Sequence, residues 1–418
     1  MRDPFTLPND FLLGTATAAT QIEGGDTTSN WYHWAQAGGT KDGAGPDTAC
    51  DHWTRWKSDL SLITDLNSHT YRLGLDWARM EPRRGVFDQA AFAHYREELQ
   101  ALRATGVEPL VTLYHFGHPM WFEEAGGWTR RGAITDWLRF VSRVLEEAGD
   151  LITDWVTINE PNVYLIFAHL FGEWPPGERR VSQFLKGARN MIAAHRAAYT
   201  LIHDHARRVG VDARVGVAHH LRVFDPARPT MRDRFACRTT RYLSQGIFLR
   251  TMTGRRGKWA DFIGVNYYTR DIVRFSPDPA SGFGLRSVAA GAPVNDLGWE
   301  IYPRGLYRVV RAAYERFRLP VFVTENGICD HQDSVRSRFL YDHLYQISGL
   351  IRDGVPVQRY YHWSLMDNFE WAEGNEPRFG LYAVDYATQA RTARTSARFF
   401  SEIARRRAVS ADMMEQYL

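Results

Sequence analysis

Short apolar runs rich in β-branched residues alternate with stretches of helical spacing along almost the whole chain. Eight runs read as strands: Phe11 to Thr17, Thr70 to Asp76, Pro109 to His115, Trp155 to Glu160, Ala213 to His219, Asp261 to Tyr268, Val321 to Glu325 and Val357 to Ser364. Between them, Ile134, Trp137, Leu138, Val141, Val144 and Leu145 repeat along one face of a 3.6-residue helix. Leu306, Val309, Val310, Ala313, Tyr314 and Phe317 do the same, as do Leu340, His343, Leu344, Ile347, Leu350 and Ile351. Apolar strands alternating with amphipathic helices predict an α/β protein whose parallel sheet is covered by helices. Eight such units in 418 residues, well above the roughly 250 of the bare fold, predict a single (β/α)8 TIM barrel with extended βα loops. With no linker or shift in composition, residues 1–418 read as one catalytic domain. An open doubly wound sheet would carry a Gly-rich fingerprint after its first strand, and Gly14-Thr15-Ala16-Thr17 lacks that spacing.

Composition narrows the function classes. Hydrophobic residues make up 44% and charged residues 24%, a globular mix. The net charge of +3 reads as spread along the chain without a basic run or stripe, which argues against a nucleic-acid partner. No apolar run approaches the roughly 18 residues of a membrane span. Met1-Arg2-Asp3-Pro4-Phe5 lacks the basic start and apolar stretch of a signal peptide. Cys50, Cys237 and Cys329 are odd in number and far apart, so they read as reduced thiols, neither a disulfide framework nor a metal cluster. The expectation is a soluble, cytoplasmic protein without membrane partner, metal or cofactor. Fourteen tryptophans supply flat apolar surfaces as well as core.

In a barrel of this kind the reactive groups stand at the carboxyl ends of the strands. Those ends read Arg72, His115, Asn159-Glu160, His219-His220, Asn266-Tyr268, Glu325-Asn326 and Trp363. Glu160 and Glu325 each close an apolar strand, the fourth and the seventh, where an unpaired charge is costly. One such glutamate is as well explained by an ion pair with a barrel arginine such as Arg72. Two facing carboxylates are what glycosidic cleavage requires, one as proton donor and the other as nucleophile or base. Physical reasoning selects the pair without dividing the two roles between them.

From Phe11 to about Phe400 the chain resembles glycoside hydrolase family 1, the β-glucosidase family. The resemblance is carried by Phe11 through Thr17 with Gln21-Ile22-Glu23-Gly24, by Tyr71-Arg72 through Trp77-Ala78-Arg79, and by Thr157-Ile158-Asn159-Glu160-Pro161. Asn266-Tyr267-Tyr268, Thr324-Glu325-Asn326-Gly327 and Trp363 through Trp371 complete it, in order and on the expected strands. The resemblance implies a retaining, exo-acting β-glycosidase with Glu325 as nucleophile and Glu160 as acid/base. It also implies sugar binding by Gln21, His115, Asn159, Tyr268, Trp363, Glu370 and Trp371, and support of the nucleophile by Arg72 and Asn266. Retention requires the two carboxyl groups to lie about 5–5.5 Å apart. The implied partners are small β-glycosides, aryl or alkyl glucosides and short oligosaccharides.

Glu370-Trp371 stands where family members acting on 6-phosphorylated sugars differ, so a neutral sugar is implied. Glu160 stands where thioglycoside-cleaving members carry Gln, so an O-glycoside is implied. The chain departs from the family at Phe116, often Trp, which removes an N–H donor and loosens glucose selectivity. The Arg-rich segment between His220 and Asp261 is short for the family, which predicts an open cleft for bulky aglycones or acceptor alcohols. β-Galactosidase, β-fucosidase or transglycosylating activity is the alternative within the family. A non-catalytic sugar-binding barrel lacks support because both carboxylates are present. A metal-dependent, enolate-forming barrel would need acidic ligands where His115, His219 and Tyr268 stand. His219 and His220 read as structural.

Overall fold

The computed structural model describes residues 3–278 and 283–418; Met1 and Arg2 of the N-terminal stretch read above lie outside them. Eight parallel strands close into a barrel. They are β1 (Leu12–Ala16), β2 (Thr70–Gly74), β3 (Glu108–Thr112), β4 (Asp154–Asn159), β5 (Arg214–His220), β6 (Ile263–Asn266), β7 (Val321–Asn326) and β8 (Val357–Trp363). Each pairs in parallel with its neighbour in sequence, and β8 closes on β1 through Trp363 opposite Ala16. All eight predicted strands are present. Several end sooner than their apolar runs: β3 stops at Thr112, short of His115, and β6 at Asn266, short of Tyr268. Those last residues leave the ladder, freeing their side chains for the barrel mouth.

The three helical patterns form Ala133–Ala148, Pro303–Phe317 and Arg336–Arg352. The first buries Trp137, Val141, Val144 and Leu145 of the stripe the sequence predicted, and Phe140 beside them. There Trp77 stacks on Phe140 at 5.1 Å, with Trp128 and Trp137 edge-on to it, so several of the tryptophans are core. One apolar cluster extends in sequence from Phe5 to Met413. No helix among the described residues is long and apolar enough to cross a membrane.

Charge is less evenly spread than the sequence suggested. The helix Met231–Arg241 turns Arg232, Arg234, Arg238 and Arg241 outward while its one acid, Asp233, is buried. The cations recur at helical rather than consecutive positions, so folding gathers them where the linear sequence separates them.

At the amino-terminal end of the barrel a buried ion cluster ties four strands together. Asp154 on β4 meets Arg359 of β8 at 2.7 Å and Arg214 of β5 at 2.7 Å, while Arg359 reaches Glu108 of β3 at 2.7 Å. Removing Asp154 leaves the Arg359 guanidinium, 2% exposed, without its buried partner. Breaking a buried pair in this way costs about 3–5 kcal/mol. Asp154→Ala is therefore expected to lower the denaturant midpoint sharply in equilibrium unfolding, whereas Glu108→Ala, on the half-exposed partner, is expected to shift it much less.

Candidate active site

A cavity of about 210 Å³ opens at the carboxyl ends of the strands, lined by His115, Asn159, Glu160, Tyr268, Glu325, Trp363, Glu370 and Trp371 among others. Arg72 and Asn266 lie in direct hydrogen-bond contact with these groups, and Gln21 contacts Glu370. The structure thus brings together every site residue named from the sequence.

Glu325 ends the apolar run of β7 and is 4% exposed. Arg72, fully buried on β2, donates from Nη1 to Glu325 Oε1 at 2.5 Å. The Tyr268 hydroxyl donates to the other oxygen, Oε2, at 2.6 Å. Arg72 is itself fixed by Thr112 Oγ1 at 3.0 Å, the Thr324 carbonyl at 3.1 Å and Asn159 Oδ1 at 2.7 Å. Burial is the largest influence on the Glu325 carboxyl and raises its pKa; the guanidinium and the phenol oppose it.

Glu160 follows β4 in the left-handed region, at φ 39°, with Pro161 opening the next helix. Its backbone N–H donates to the Ala218 carbonyl at 2.8 Å, fixing the turn against β5. Among the described residues no cation touches its carboxylate, which accepts an amide hydrogen bond from Asn266 Nδ2 at 2.9 Å. Burial, followed by the charge of Glu325, raises its pKa well above the carboxylate range. The two carboxyls therefore differ: one is clamped by a guanidinium and a phenol, while the other keeps its proton more readily.

Asn266, expected to support Glu325, stands between the two. Its Nδ2 contacts Glu160 and, at 3.0 Å, Asn159 Oδ1, and its amide also lowers the Glu325 pKa. Its Oδ1 can only accept, so the Thr324 hydroxyl must donate to it at 2.6 Å and fix the amide's orientation. Asn159 is oriented by the same logic. Its oxygen accepts from Arg72 and Asn266, so its Nδ2 donates to His115 Nε2 at 2.9 Å. The His115 proton then resides on Nδ1, which is buried without a partner among the described residues. Burial and Arg72 hold this imidazole neutral. His115 thus holds an unused N–H on a ring that lines the cavity.

Glu370 is linked to Gln21, whose Nε2 donates to Asn368 Oδ1 at 2.8 Å, the Phe369 carbonyl at 2.7 Å and Glu370 Oε2 at 3.1 Å. Gln21 Oε1 is left without a partner among the described residues. Burial, then the Glu325 charge, pushes the Glu370 carboxyl up to about 8, against hydrogen bonds from Gln21 and Trp363. A carboxyl raised in this way repels a phosphate less than an ordinary carboxylate would. Phe116, at φ 67°, packs its ring against Trp174 at 4.9 Å and Trp371 at 5.2 Å, filling space without offering a donor.

The sequence assigned His219 and His220 together to structure. Only His219 is fully enclosed; His220 lines the cavity beside Tyr268, ring centroids 6.4 Å apart, because alternate residues of a strand face opposite sides. The outer wall was missed: Val163, Phe167, Trp174, Leu297, Trp299 and Phe379 come from loops and a short helix that carry no strand-end signal. Thr324 was visible as part of the Thr-Glu-Asn-Gly match, but its role as an amide lock depends on β6 lying beside β7. Cys329 meets Asp296 and His331 with ligand atoms within 4.8 Å, yet burial pushes its thiol up to about 12, which keeps it a protonated thiol at neutral pH.

The profile of glycosyl hydrolase family 1 matches residues 3–260 and 255–409. Beta-glucosidase A of Thermotoga maritima is 33% identical over 444 aligned positions, covering 95% of this chain and 97% of that one. The structure of the beta-glycosidase from Pyrococcus horikoshii superposes with a TM-score of 0.92 at 36% identity, covering 99% and 98% of the two chains. The Thermotoga maritima beta-glucosidase solved in complex with glucoimidazole superposes with a TM-score of 0.90 at 30% identity, covering 97% of this chain and all of that one. A closed eight-stranded barrel, two buried glutamates at its mouth and these matches along the whole chain lead to one assignment: the chain belongs to glycosyl hydrolase family 1, as one of its β-glycosidases.

Proposed function

We propose that this enzyme is a retaining, exo-acting β-glycosidase, best described as a β-glucosidase, with Glu325 as nucleophile and Glu160 as acid/base. The carrying observation is the asymmetry of the pair. Arg72 and Tyr268 hold Glu325, while among the described residues no cation touches Glu160. In the first step a Glu325 oxygen attacks the anomeric carbon as the glycosidic C–O bond breaks. The proton of Glu160 passes to the departing oxygen, releasing the aglycone as its alcohol. In the second step Glu160, now a carboxylate, takes a proton from water. The hydroxyl attacks the anomeric carbon, the bond to Glu325 breaks, and the sugar leaves with its β configuration restored.

Asn159 is assigned to the 2-hydroxyl, Trp363 to the apolar floor, and Gln21, His115, Glu370 and Trp371 to the remaining hydroxyls. Neutral O-glycosides fit this lining, since no cation contacts Glu370 among the described residues to receive a phosphate. The aromatic outer wall suits aryl or alkyl aglycones. Phe116, without an N–H, favours tolerance of galacto and fuco sugars as a second reading. Residues 1–418 act as one catalytic unit, and three buried free thiols fit a reducing cytoplasm.

Glu325→Ala is expected to abolish hydrolysis of p-nitrophenyl β-D-glucoside. Glu160→Ala with azide on the same activated substrate should release the β-glycosyl azide, read by NMR, whereas an α product would contradict retention. General-acid loss costs about 10²–10⁴-fold, and should appear chiefly with poor leaving groups.

Tyr268→Phe removes a donor that lowers the Glu325 pKa, so the acid limb of the kcat/KM profile should move to higher pH. A hydrogen bond to a charged group is worth about 1.5–3 kcal/mol, so kcat should fall roughly 10- to 100-fold. Thr324→Val frees the Asn266 amide that lowers the pKa of both Glu160 and Glu325, so both limbs should move to higher pH, with Thr324→Ser restoring them.

A further inference from the structure

We propose that the outward face of the helix Met231–Arg241, with the turn that follows it, is a docking surface for an anionic lipid bilayer, set beside the mouth of the active-site cavity. The helix is capped by the Thr230 hydroxyl, which accepts the Asp233 N–H at 3.2 Å. It packs inward through Ala236 and Cys237 against Phe224 and Val273. The outward side is unusual for a face in contact with water. Met231 is 79% exposed and Phe235 57%, and Tyr242 and Leu243 continue the apolar surface after the helix. Met231, Phe235 and Tyr242 are spaced i, i+4 and i+11, so they fall on one side of a helix. The short strand Gly284–Ser287 lies against the inner side of the helix, with Gly284 facing Ala236 and Thr240.

Arginines flank this apolar stripe. Arg232, Arg234, Arg238 and Arg241 are all exposed, and none has a carboxylate within salt-bridge distance among the described residues. Asp233, the one acid of the helix, is buried and already paired with Arg228 at 2.8 Å. Four unpaired guanidinium groups set a positive charge that calls for an anionic partner. A nucleic acid would satisfy those cations but leave Met231 and Phe235 in water. An anionic bilayer satisfies both, with guanidinium groups at the phosphates and apolar side chains at the acyl boundary. This is a surface contact, and it involves no spanning helix.

The position of the surface gives the contact a function. The Ser244 carbonyl accepts from Asn162 Nδ2 at 3.0 Å, two residues beyond Glu160. Gln245 exchanges hydrogen bonds with the backbone of Arg222 at 3.0 and 3.1 Å, and Arg222 lines the cavity. Docking by this face would bring the aromatic outer wall of the cavity to the lipid interface. It would favour glycosides whose long apolar aglycones are held there; this last step rests on the proposed β-glycosidase reading.

The test is flotation of the full-length enzyme with two kinds of vesicle, pure phosphatidylcholine and phosphatidylcholine with one-third phosphatidylglycerol. Binding is expected with the anionic vesicles alone and should fall at high salt. Each cation near the surface contributes about five-fold to partitioning. Arg232→Glu/Arg238→Glu should therefore weaken binding by roughly ten-fold or more. Phe235→Asp should weaken it comparably, and all variants should hydrolyse a soluble p-nitrophenyl glycoside at the wild-type rate, which shows that they fold. No flotation of the wild type, equal binding to both vesicles, or full binding by Phe235→Asp would each overturn the docking surface, whatever the outcome for the catalytic roles. Normal flotation with Glu325→Ala still active would instead leave docking intact and remove the catalytic reading.

Discussion

A guanidinium with no exposure to solvent, Arg72, stands inside the barrel, and the site is arranged around the need to satisfy it. A charge so placed persists only with a carboxylate and a full set of acceptors close by. Glu325 supplies the carboxylate, and Thr112, Asn159 and the Thr324 carbonyl supply the rest. The residues that neutralise Arg72 come from β3, from the end of β4 and from β7, so satisfying one buried cation fixes how three strands sit relative to β2.

That single requirement propagates by hydrogen-bond direction. Arginine only donates, so the oxygen of Asn159 must face it; the Asn159 amide then faces His115, and the histidine proton is left on Nδ1, without an acceptor among the described residues. Asn266 is locked in turn by Thr324 and presents its amide to Glu160. Each side chain's orientation follows from its neighbour's chemistry. The result is a rigid polar layer in which two glutamates separated by 165 positions of sequence share neighbours while experiencing different fields.

Around this layer the molecule changes character. The base of the cavity is mostly polar, with Trp363 as its apolar member, and is fixed largely by the ends of barrel strands. The outer wall is apolar and supplied by loops, with Trp174, Leu297 and Trp299 lining the cavity. The polar base and the apolar wall thus rest on different parts of the fold. The exposed helix Met231–Arg241 extends the second part outward, combining apolar and cationic side chains next to the cavity rim. A chain with a small net charge can still carry a strongly polarised surface, because folding sorts residues that the sequence interleaves.

Local pattern by itself determined the eight strands, the helices that cover them and the strand-end positions of Glu160 and Glu325, because apolar periodicity is a short-range property and a barrel places its strand ends together. Arg72, His115, Asn159, Asn266 and Tyr268 were legible for the same reason, whereas Gln21 and Glu370 came from the family resemblance alone. Three things were decided only by the closed barrel. His220 entered the cavity while His219 turned away, a matter of strand phase. Asn266 came to lie between the two glutamates, because that depends on which strands are neighbours. The aromatic outer wall was assembled from loop positions that long-range packing brings together, and the basic, apolar helix face became a surface only because packing decided which side of that helix is buried.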